Sequence, residues 1–233
     1  MTAAVRGAQP SELPDAWLDL LATLIADAPV NLVSRGDRAD VRRLHVDEAV
    51  QVAQHLTVAP GARWMDLGTG GGLPGLVLAR MYADTQWTLL DARAKKIRLV
   101  EAFARALDVG NVHAVHARAE DLARSGSHAG SYGGVISRAV GSLTRTVALA
   151  RPFVGHGEII AVRGLRAAQD ADALAPWRDR LGVSVDEVAT IDGTIRPTAL
   201  VRVRGHGPVP PAFSRMQRTI LRSTQGGSDV GSA

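Results

Sequence analysis

Two patterns of apolar residues divide the chain at Pro60-Gly61. Before this break, apolar residues recur at steps of three and four along residues 11–28 and again along 37–56, a spacing that places them on one face of a helix. Ser11 stands where the first of these helices would be capped. The first 60 residues are therefore predicted to form an N-terminal helical extension.

After the break, short apolar runs alternate with helix-like segments. This alternation predicts an α/β fold in which a mostly parallel sheet carries helices on both faces. The predicted strands cover residues 63–67, 87–91, 112–116, 134–137 and 158–162, followed by 183–191 and 199–204 as a closing antiparallel pair. The predicted helices cover residues 73–83, 95–107, 119–124, 143–151 and 166–181.

The pattern predicts three regions along the chain. Residues 1–60 are the helical extension, and residues 61–210 form a Rossmann-like domain. Residues 211–233 are a basic, partly disordered tail, because they end in the small and polar segment GGSDVGSA.

Composition excludes several kinds of chemistry. The chain has 233 residues, 46% of them hydrophobic, which is enough for a buried core, and it has no cysteine. Disulfides, zinc–thiolate sites, iron–sulfur clusters and a cysteine nucleophile are therefore excluded. No His or carboxylate cluster has metal-ligand spacing. No apolar run approaches the roughly 18 residues of a membrane span, and the N-terminus lacks the apolar block of a signal peptide. The sequence predicts a soluble, cytoplasmic protein without a metal or a membrane partner.

Basic charge is concentrated in the middle and at the end of the chain. The net charge is +4, and residues 61–165 (13 basic, 8 acidic) and 196–233 (6 basic, 1 acidic) each sum to +5. This distribution suits a polyanionic partner such as nucleic acid. A coding bias toward arginine is the alternative explanation, because 25 of the 27 basic residues are Arg.

The most specific segment is the glycine-rich turn DLGTGGGLPG (66–75), between the first strand and its helix. Gly70, Gly72 and Gly75 satisfy the dinucleotide pattern G-x-G-x-x-G. Asp66 with glycines at 68, 70 and 72 instead resembles the first motif of Rossmann-like methyltransferases that use S-adenosylmethionine (AdoMet). The mixed charge of AdoMet suits a strand-end acid better than a pyrophosphate does, which favours AdoMet.

Three further side chains end the following strands. Asp91 follows the glycine turn by roughly 20 residues, where an acid accepts hydrogen bonds from ribose hydroxyls, although it could also cap the next helix. Glu120 follows the third strand, near where AdoMet enzymes commonly bring an acid to the adenine rim. Arg138 ends the fourth strand, at the sheet edge where ligands bind, and its planar fork could pair with a carboxylate or a phosphate.

Taken together, these segments resemble one family, the RsmG or glucose-inhibited division protein B family of 16S ribosomal RNA guanine-N7 methyltransferases. The resemblance covers residues 31–163 and rests on motifs in the family's order and spacing. These are NLVSRGD (31–37), RLHVDEAV (43–50), MDLGTGGGLPGLVLA (65–79), TLLDARAKKIRLVE (88–101), NVHAVHARAEDL (111–122) and GVISRAVGSL (134–143).

The resemblance implies a Rossmann-like AdoMet-dependent methyltransferase that acts on 16S RNA of the small ribosomal subunit or its precursor, as a monomer. It also implies cofactor contacts at five positions. With Gly70 and Asp91, which the motifs themselves indicate, the predicted cofactor-binding residues are Gly68, Gly70, Leu73, Asp91, Ala119, Glu120 and Arg138.

The chain departs from the family at three places. The family's usual H-x-L-D-S becomes His45-Val-Asp-Glu48-Ala, Lys-Gly after the fifth strand becomes Arg163-Gly164, and the C-terminal tail is only loosely similar. His45 is either a packing residue or a residue that faces the site. Because guanine N7 carries a free lone pair and no proton, no general base is predicted, and His45 and Arg138 are expected to act only by positioning.

Three other functions stay open at this point. A methyltransferase of the same fold could act on a small molecule or a protein, and a weak dependence of substrate binding on salt would indicate that. An NAD-dependent oxidoreductase would use the dinucleotide pattern and would bind NAD in preference to AdoMet. A catalytically idle assembly factor would bind the pre-ribosome without transferring a methyl group.

Overall fold

The computed structural model describes residues 9–224, and within this range seven strands form one sheet. The strands are β1 (Arg63–Leu67), β2 (Gln86–Asp91), β3 (Val112–His116), β4 (Tyr132–Arg138), β5 (Val154–Arg163), β6 (Val183–Ile191) and β7 (Thr198–Gly205). Their order is β3-β2-β1-β4-β5-β7-β6. Strands β1 to β5 run parallel, and β7 lies antiparallel between β5 and β6. The predicted α/β sheet and its closing antiparallel pair are confirmed.

Helices cover both faces of the sheet. They are α1 (Asp15–Ala26), α2 (Asp47–Gln54), α3 (Gly75–Met81), α4 (Ala94–Ala106), α5 (Ala119–Leu122), α6 (Leu143–Ala150), α7 (Ala167–Leu174), α8 (Arg178–Leu181) and α9 (Phe213–Ser223). Helices α1 to α4 share one buried core with the sheet, and α6 to α9 share the other. Neighbouring strand residues alternate between these cores, so that Trp64 lies in the first and Met65 in the second.

Two details predicted for the N-terminal extension are wrong. Helix α1 begins at Asp15 with Pro14 as its N-cap residue, so Ser11 is not its cap. The Ser11 N–H instead donates to the Met81 carbonyl at 2.9 Å. The continuous helix predicted over 37–56 is instead a 3-10 turn (Arg35–Asp40), a π-helical turn (Arg42–Val46) and α2. A five-residue hydrogen-bonding step leaves little trace in an apolar pattern read for a 3.6-residue period, which is why the sequence did not indicate it.

Ion pairs hold the extension together, and apolar contacts and hydrogen bonds pack it onto the domain. Arg42 donates to Asp15 at 2.9 Å and to Asp19 at 2.6 Å, both on α1, and to Asp47 of α2 at 2.8 Å. The Tyr82 hydroxyl, which follows α3, donates to the Ala53 carbonyl at 2.8 Å. The extension therefore shares a core with α3 and α4, and a domain boundary at residue 60 stays a prediction.

The C-terminal helix α9 lies in a region for which the sequence analysis predicted only a tail. Its buried residues Phe213, Met216 and Ile220 follow the three- and four-residue spacing of a helix face, a signal present in the sequence. The segment before it is held by Arg151, a fully buried guanidinium that donates to the Gly207 carbonyl at 2.8 Å. The segment GGSDVGSA, predicted to be disordered, lies outside the described residues.

Within residues 9–224, no helix is both long enough and apolar enough to cross a membrane. This finding agrees with the absence of any long apolar run in the sequence.

Candidate functional site

The glycine-rich turn at the carboxyl end of β1 adopts backbone conformations that favour glycine. Gly68, Gly70 and Gly72 have φ values of +75°, +58° and +89°. A Cβ atom at Gly68 would lie 2.4 Å from Val140 Cγ2, and one at Gly72 would lie 2.4 Å from Leu76 Cδ1. Packing therefore accounts for these two glycines.

Gly70 differs from Gly68 and Gly72 because a Cβ at this position would make only ordinary van der Waals contacts and would clash with no described atom. The described atom nearest to a Cβ at this position would be Lys96 Nζ, at 3.7 Å. No close packing in the described structure explains a glycine here beyond its positive φ. Gly70 is therefore the residue of the turn whose missing side chain leaves room for a ligand.

Asp66 is the buried carboxylate that holds the turn in shape. Its Oδ2 accepts hydrogen bonds from Thr69 Oγ1 at 2.6 Å and from the Gly75 N–H at 2.9 Å. Its Oδ1 is buried and has no hydrogen-bond partner among the described residues. Burial raises the pKa of Asp66 to about 6, against the opposing effect of these two hydrogen bonds.

We expect Asp66→Asn to remove a pH dependence of stability between about pH 3.8 and 6. Because the pKa of Asp66 is raised to about 6 on folding, the folded protein holds this proton more tightly than the unfolded chain does. The stability it contributes is present below the unfolded pKa of 3.8 and is lost as pH rises through the folded pKa. The loss amounts to roughly 3 kcal/mol at about 1.4 kcal/mol per pKa unit.

Urea unfolding at several pH values measures this effect. The free energy of unfolding of the wild type should fall relative to that of Asp66→Asn as pH rises from 4 to 7. Asp84→Asn, at an exposed aspartate, controls for the loss of a carboxylate. A difference between wild type and Asp66→Asn that stays constant with pH would show that Asp66 does not titrate in this range.

Asp91 lies beside the turn and binds it through backbone amides. Its Oδ2 accepts from the Gly70 N–H at 3.1 Å, and its Oδ1 accepts from the Arg93 N–H at 2.8 Å. Arg93, not Asp91, is the N-cap residue of α4. Asp91 thus supports the start of α4 indirectly, by accepting a hydrogen bond from the N–H of its N-cap residue. Its contact with ribose hydroxyls stays a prediction.

Four of the seven residues predicted to bind the cofactor line one crevice at the carboxyl edge of the sheet. Gly68 forms one wall with Val140, Asp91 stands at the end of β2, and Ala119 and Glu120 begin α5. Gly70 adjoins this crevice through its hydrogen bond to Asp91. The structure therefore brings these residues together from the ends of β1, β2 and β3.

The side chains of Leu73 and Arg138 lie outside this crevice. The Leu73 side chain is buried in the core between the sheet and α3, and its N–H donates to the Thr69 carbonyl at 3.2 Å. Arg138 faces a second, neighbouring pocket, which it shares with His45 and Glu48 of the N-terminal extension. Neither side chain lines the crevice in this structure, and their predicted contacts with the cofactor stay predictions.

Arg138 is held from the N-terminal extension by a short ion pair. Its Nη1 donates to Glu48 Oε2 at 2.6 Å and lies 3.3 Å from His45 Nδ1. Glu48 Oε1 in turn accepts from Thr198 Oγ1 at 2.8 Å. Glu48 stands where this chain departs from the family motif, and it supplies the carboxylate that fixes the arginine.

Both nitrogens of the His45 ring are engaged. Nε2 lies 3.0 Å from Asp37 Oδ2, while Nδ1 faces Arg138. Burial lowers the pKa of His45, and the charge of Arg138 lowers it further. A neutral ring that donates from Nε2 to Asp37 and accepts at Nδ1 satisfies this geometry. His45 therefore has no free lone pair with which to act as a base.

Asp37, which holds the His45 ring, was not singled out from the sequence. It is buried, and it pairs with Arg196, which lies 159 positions away in the chain. The hydrogen bond from Arg196 lowers the pKa of Asp37 to about 2. Arg196 and Thr198 also line the second pocket. No local pattern could have indicated contacts between residues so distant in sequence.

Arg163, a second departure from the family motifs, holds the loop that follows β4. Its Nη1 donates to the Gly141 carbonyl at 2.6 Å and its Nη2 to Thr146 Oγ1 at 2.7 Å. The same loop carries Val140 onto Gly68.

No group of His, Cys, Asp and Glu that could hold a metal ion occurs in the part of the chain that the structure describes.

Comparison with known proteins places these features in a family. A family model described as rRNA small subunit methyltransferase G matches residues 15–194. The chain is 37% identical over 196 residues to the ribosomal RNA small subunit methyltransferase G of Sorangium cellulosum (strain So ce56), covering 82% of this chain and 80% of that one. It is 32% identical over 197 residues to the protein of the same name from Chlorobaculum tepidum, covering 83% and 81%.

Solved structures support the fold. A SAM-dependent methyltransferase from Aquifex aeolicus matches with a TM-score of 0.55 and 10% identity, over 82% of this chain and 98% of that one. Aeropyrum pernix fibrillarin in complex with S-adenosyl-L-methionine matches with a TM-score of 0.52 and 15% identity, over 67% and 74%. At these identities the matches bear on the fold alone, and they confirm the Rossmann-like methyltransferase fold.

Proposed function

The chain belongs to the rRNA small subunit methyltransferase G family, and on that premise we propose that it transfers a methyl group from AdoMet to N7 of a guanine in the 16S RNA of the small ribosomal subunit. The observation that carries the proposal is the position of Gly70, where a Cβ would meet no described atom closer than 3.7 Å, beside Asp91 and the crevice at the carboxyl ends of β1 to β3. Gly68, Gly70, Leu73, Asp91, Ala119, Glu120 and Arg138 remain the proposed cofactor residues.

The glycine turn suits AdoMet better than a dinucleotide. A pyrophosphate needs free amides at a glycine turn, but the N–H groups of Gly70 and Gly75 donate to Asp91 and Asp66, and that of Gly72 donates to the Thr69 carbonyl. The two carboxylates would repel a pyrophosphate and attract a cation. These contacts favour a methyltransferase over an NAD-dependent oxidoreductase.

The chain's residues need only to bind and to orient the reactants. When bound, AdoMet supplies a methyl group already activated by the sulfonium. Guanine N7 offers a lone pair without losing a proton, so the protein does not have to provide a base. The fixed neutral ring of His45 and the ion-paired Arg138 fit positioning roles, because their polar atoms are already held in one arrangement.

We expect the single-turnover rate of methyl transfer on saturating RNA to be nearly level between about pH 6.5 and 8.5. His45→Ala should slow the reaction by disturbing Arg138 and should leave the profile level. Rapid-quench measurement of labelled RNA across this range tests both statements. His55→Ala, at an exposed histidine that follows α2, is the matched control and should change neither rate nor profile.

A rate that rises through an apparent pKa near 6.5, and that loses this rise in His45→Ala, would identify His45 as a base. That outcome would also contradict N7 as the accepting atom, since a base is needed chiefly where the acceptor carries a proton.

The proposal is tested by incubating the purified protein with small ribosomal subunits and AdoMet labelled on its methyl group. Label recovered as 7-methylguanosine after digestion of the 16S RNA supports it. Label on another nucleoside, on a ribosomal protein or nowhere would contradict it. Calorimetric titration with AdoMet and with NAD distinguishes the two cofactors directly, and binding of NAD alone would indicate the oxidoreductase.

A further inference from the structure

Helix α9, which lies beyond the matched family region of residues 15–194, forms one side of a groove. The groove encloses about 490 Å³ between α9 and α5. Its floor contains Pro152, Phe213 and Leu221. We call it the α9 groove, and its basic residues are Arg118, Arg124, Arg218 and Arg222.

The charged residues of helix α9 are all basic. Along its 11 residues α9 carries Arg215, Arg218 and Arg222, all exposed, and no acidic residue. None of the three forms an ion pair with another described residue, and neither does Arg118. The groove's two carboxylates are Glu120 and Asp121, and Asp121 is paired with Arg124 at 2.9 Å. A net positive charge is left along α9.

Buried side chains and hydrogen bonds fix helix α9 to the rest of the protein. Phe213, Met216 and Ile220 are buried against the rest of the protein. Gln217 Nε2 donates to the Ala148 carbonyl of α6 at 2.8 Å, and Arg145 Nη1 donates to the Leu221 carbonyl at 3.3 Å. Like charges at positions i and i+4, as in Arg218 and Arg222, destabilise a helix. A polyanionic partner would remove this repulsion.

The groove joins the candidate cofactor crevice, because Arg118 and Glu120 line both. We propose that the α9 groove binds the phosphate backbone of the RNA substrate, next to the cofactor and away from the pocket of Arg138. This inference rests on the proposed function. A membrane surface is disfavoured, because the apolar face of α9 is already buried and α9 exposes no large apolar side chain among the described residues.

The double variant Arg218→Gln/Arg222→Gln tests the proposal, since glutamine keeps the helix propensity of arginine and removes its charge. Affinity for small subunits should fall roughly tenfold at physiological salt. The slope of log affinity against log salt should become less steep by about 1.5, from two lost phosphate contacts. Affinity for AdoMet, measured by calorimetry, should not change.

The matched control is Arg80→Gln/Arg105→Gln, which removes two exposed arginines near the ends of α3 and α4 without touching the groove. It should alter neither the RNA affinity nor the slope. Circular dichroism and melting temperature establish that both double variants are folded.

The outcomes separate this inference from the function on which it rests. A wild type that methylates rRNA, with RNA affinity unaltered in Arg218→Gln/Arg222→Gln, would overturn the α9 groove alone. A wild type that does not bind RNA would overturn both. Binding to vesicles of phosphatidylserine and phosphatidylcholine that is lost in the variant, with RNA binding intact, would assign the helix to lipid and also overturn the inference.

Discussion

Gly70→Val should abolish AdoMet binding in a protein that remains folded. The valine side chain would occupy the space in front of residue 70 where we propose that the cofactor lies; the described atom nearest to a Cβ there would be Lys96 Nζ, at 3.7 Å. It would also strain a backbone with φ of +58°, which β-branched residues rarely adopt. Calorimetry should show at least a roughly hundredfold loss of affinity, equivalent to about 2.7 kcal/mol.

Gly130→Val separates the two effects. Gly130 has φ of +60°, and a Cβ there would have no described atom within 4 Å. The residue precedes β4, at the opposite edge of the sheet from the glycine turn. The control therefore carries the same backbone strain without blocking the crevice, and it should bind AdoMet as the wild type does. Unaltered affinity in a folded Gly70→Val protein would remove the turn from the site.

Arg138→Lys should slow methyl transfer by roughly 10- to 100-fold. A lysine ammonium could keep the contacts that Arg138 Nη1 makes with Glu48 and His45, but it cannot also offer the second arm of the planar fork to a carboxylate or phosphate of the bound ligand or RNA. A lost hydrogen bond to a charged group weakens binding by about 1.5–3 kcal/mol, which corresponds to this range if the contact serves the transition state.

Single-turnover rates at saturating RNA and AdoMet measure the effect of Arg138→Lys, and melting temperature reports on the fold. Arg204→Lys is the matched control, because Arg204 pairs with Asp186 at 2.7 Å on the more exposed surface of β6 and β7. It should leave the rate unchanged. A lowered melting temperature with an unaltered rate in Arg138→Lys would reduce Arg138 to a structural ion pair.

Most of the sheet could be predicted from the sequence because each strand is a local apolar run. Strands β1 and β3 were predicted with their observed bounds, whereas β5 begins at Val154, four residues earlier than predicted. Gly155 and Gly157 interrupt the apolar pattern at the start of this strand, so the sequence did not indicate it there. Gly157 is required by packing, because a Cβ there would lie 2.5 Å from the Gly133 carbonyl oxygen of the neighbouring strand.

The residues of the candidate site likewise fall into two groups. Some lie near one another in the sequence, and others lie far apart in it. The glycine turn and Asp91 lie within one strand–helix–strand unit, so their spacing along the chain was enough to predict their meeting. The network around Arg138 was not predictable, since Glu48 and Thr198 are 150 positions apart and Asp37 and Arg196 are 159. These contacts exist because the N-terminal extension packs beside the end of β4.

Mass mapping of 16S RNA from cells that lack this protein tests the central proposal most directly. We expect the loss of one 7-methylguanosine from the RNA, its return with the wild-type chain and with Gly130→Val, and no return with Gly70→Val. An unchanged set of 16S methylations in cells that lack the protein, or the loss of a methyl group from an atom other than guanine N7, would contradict it.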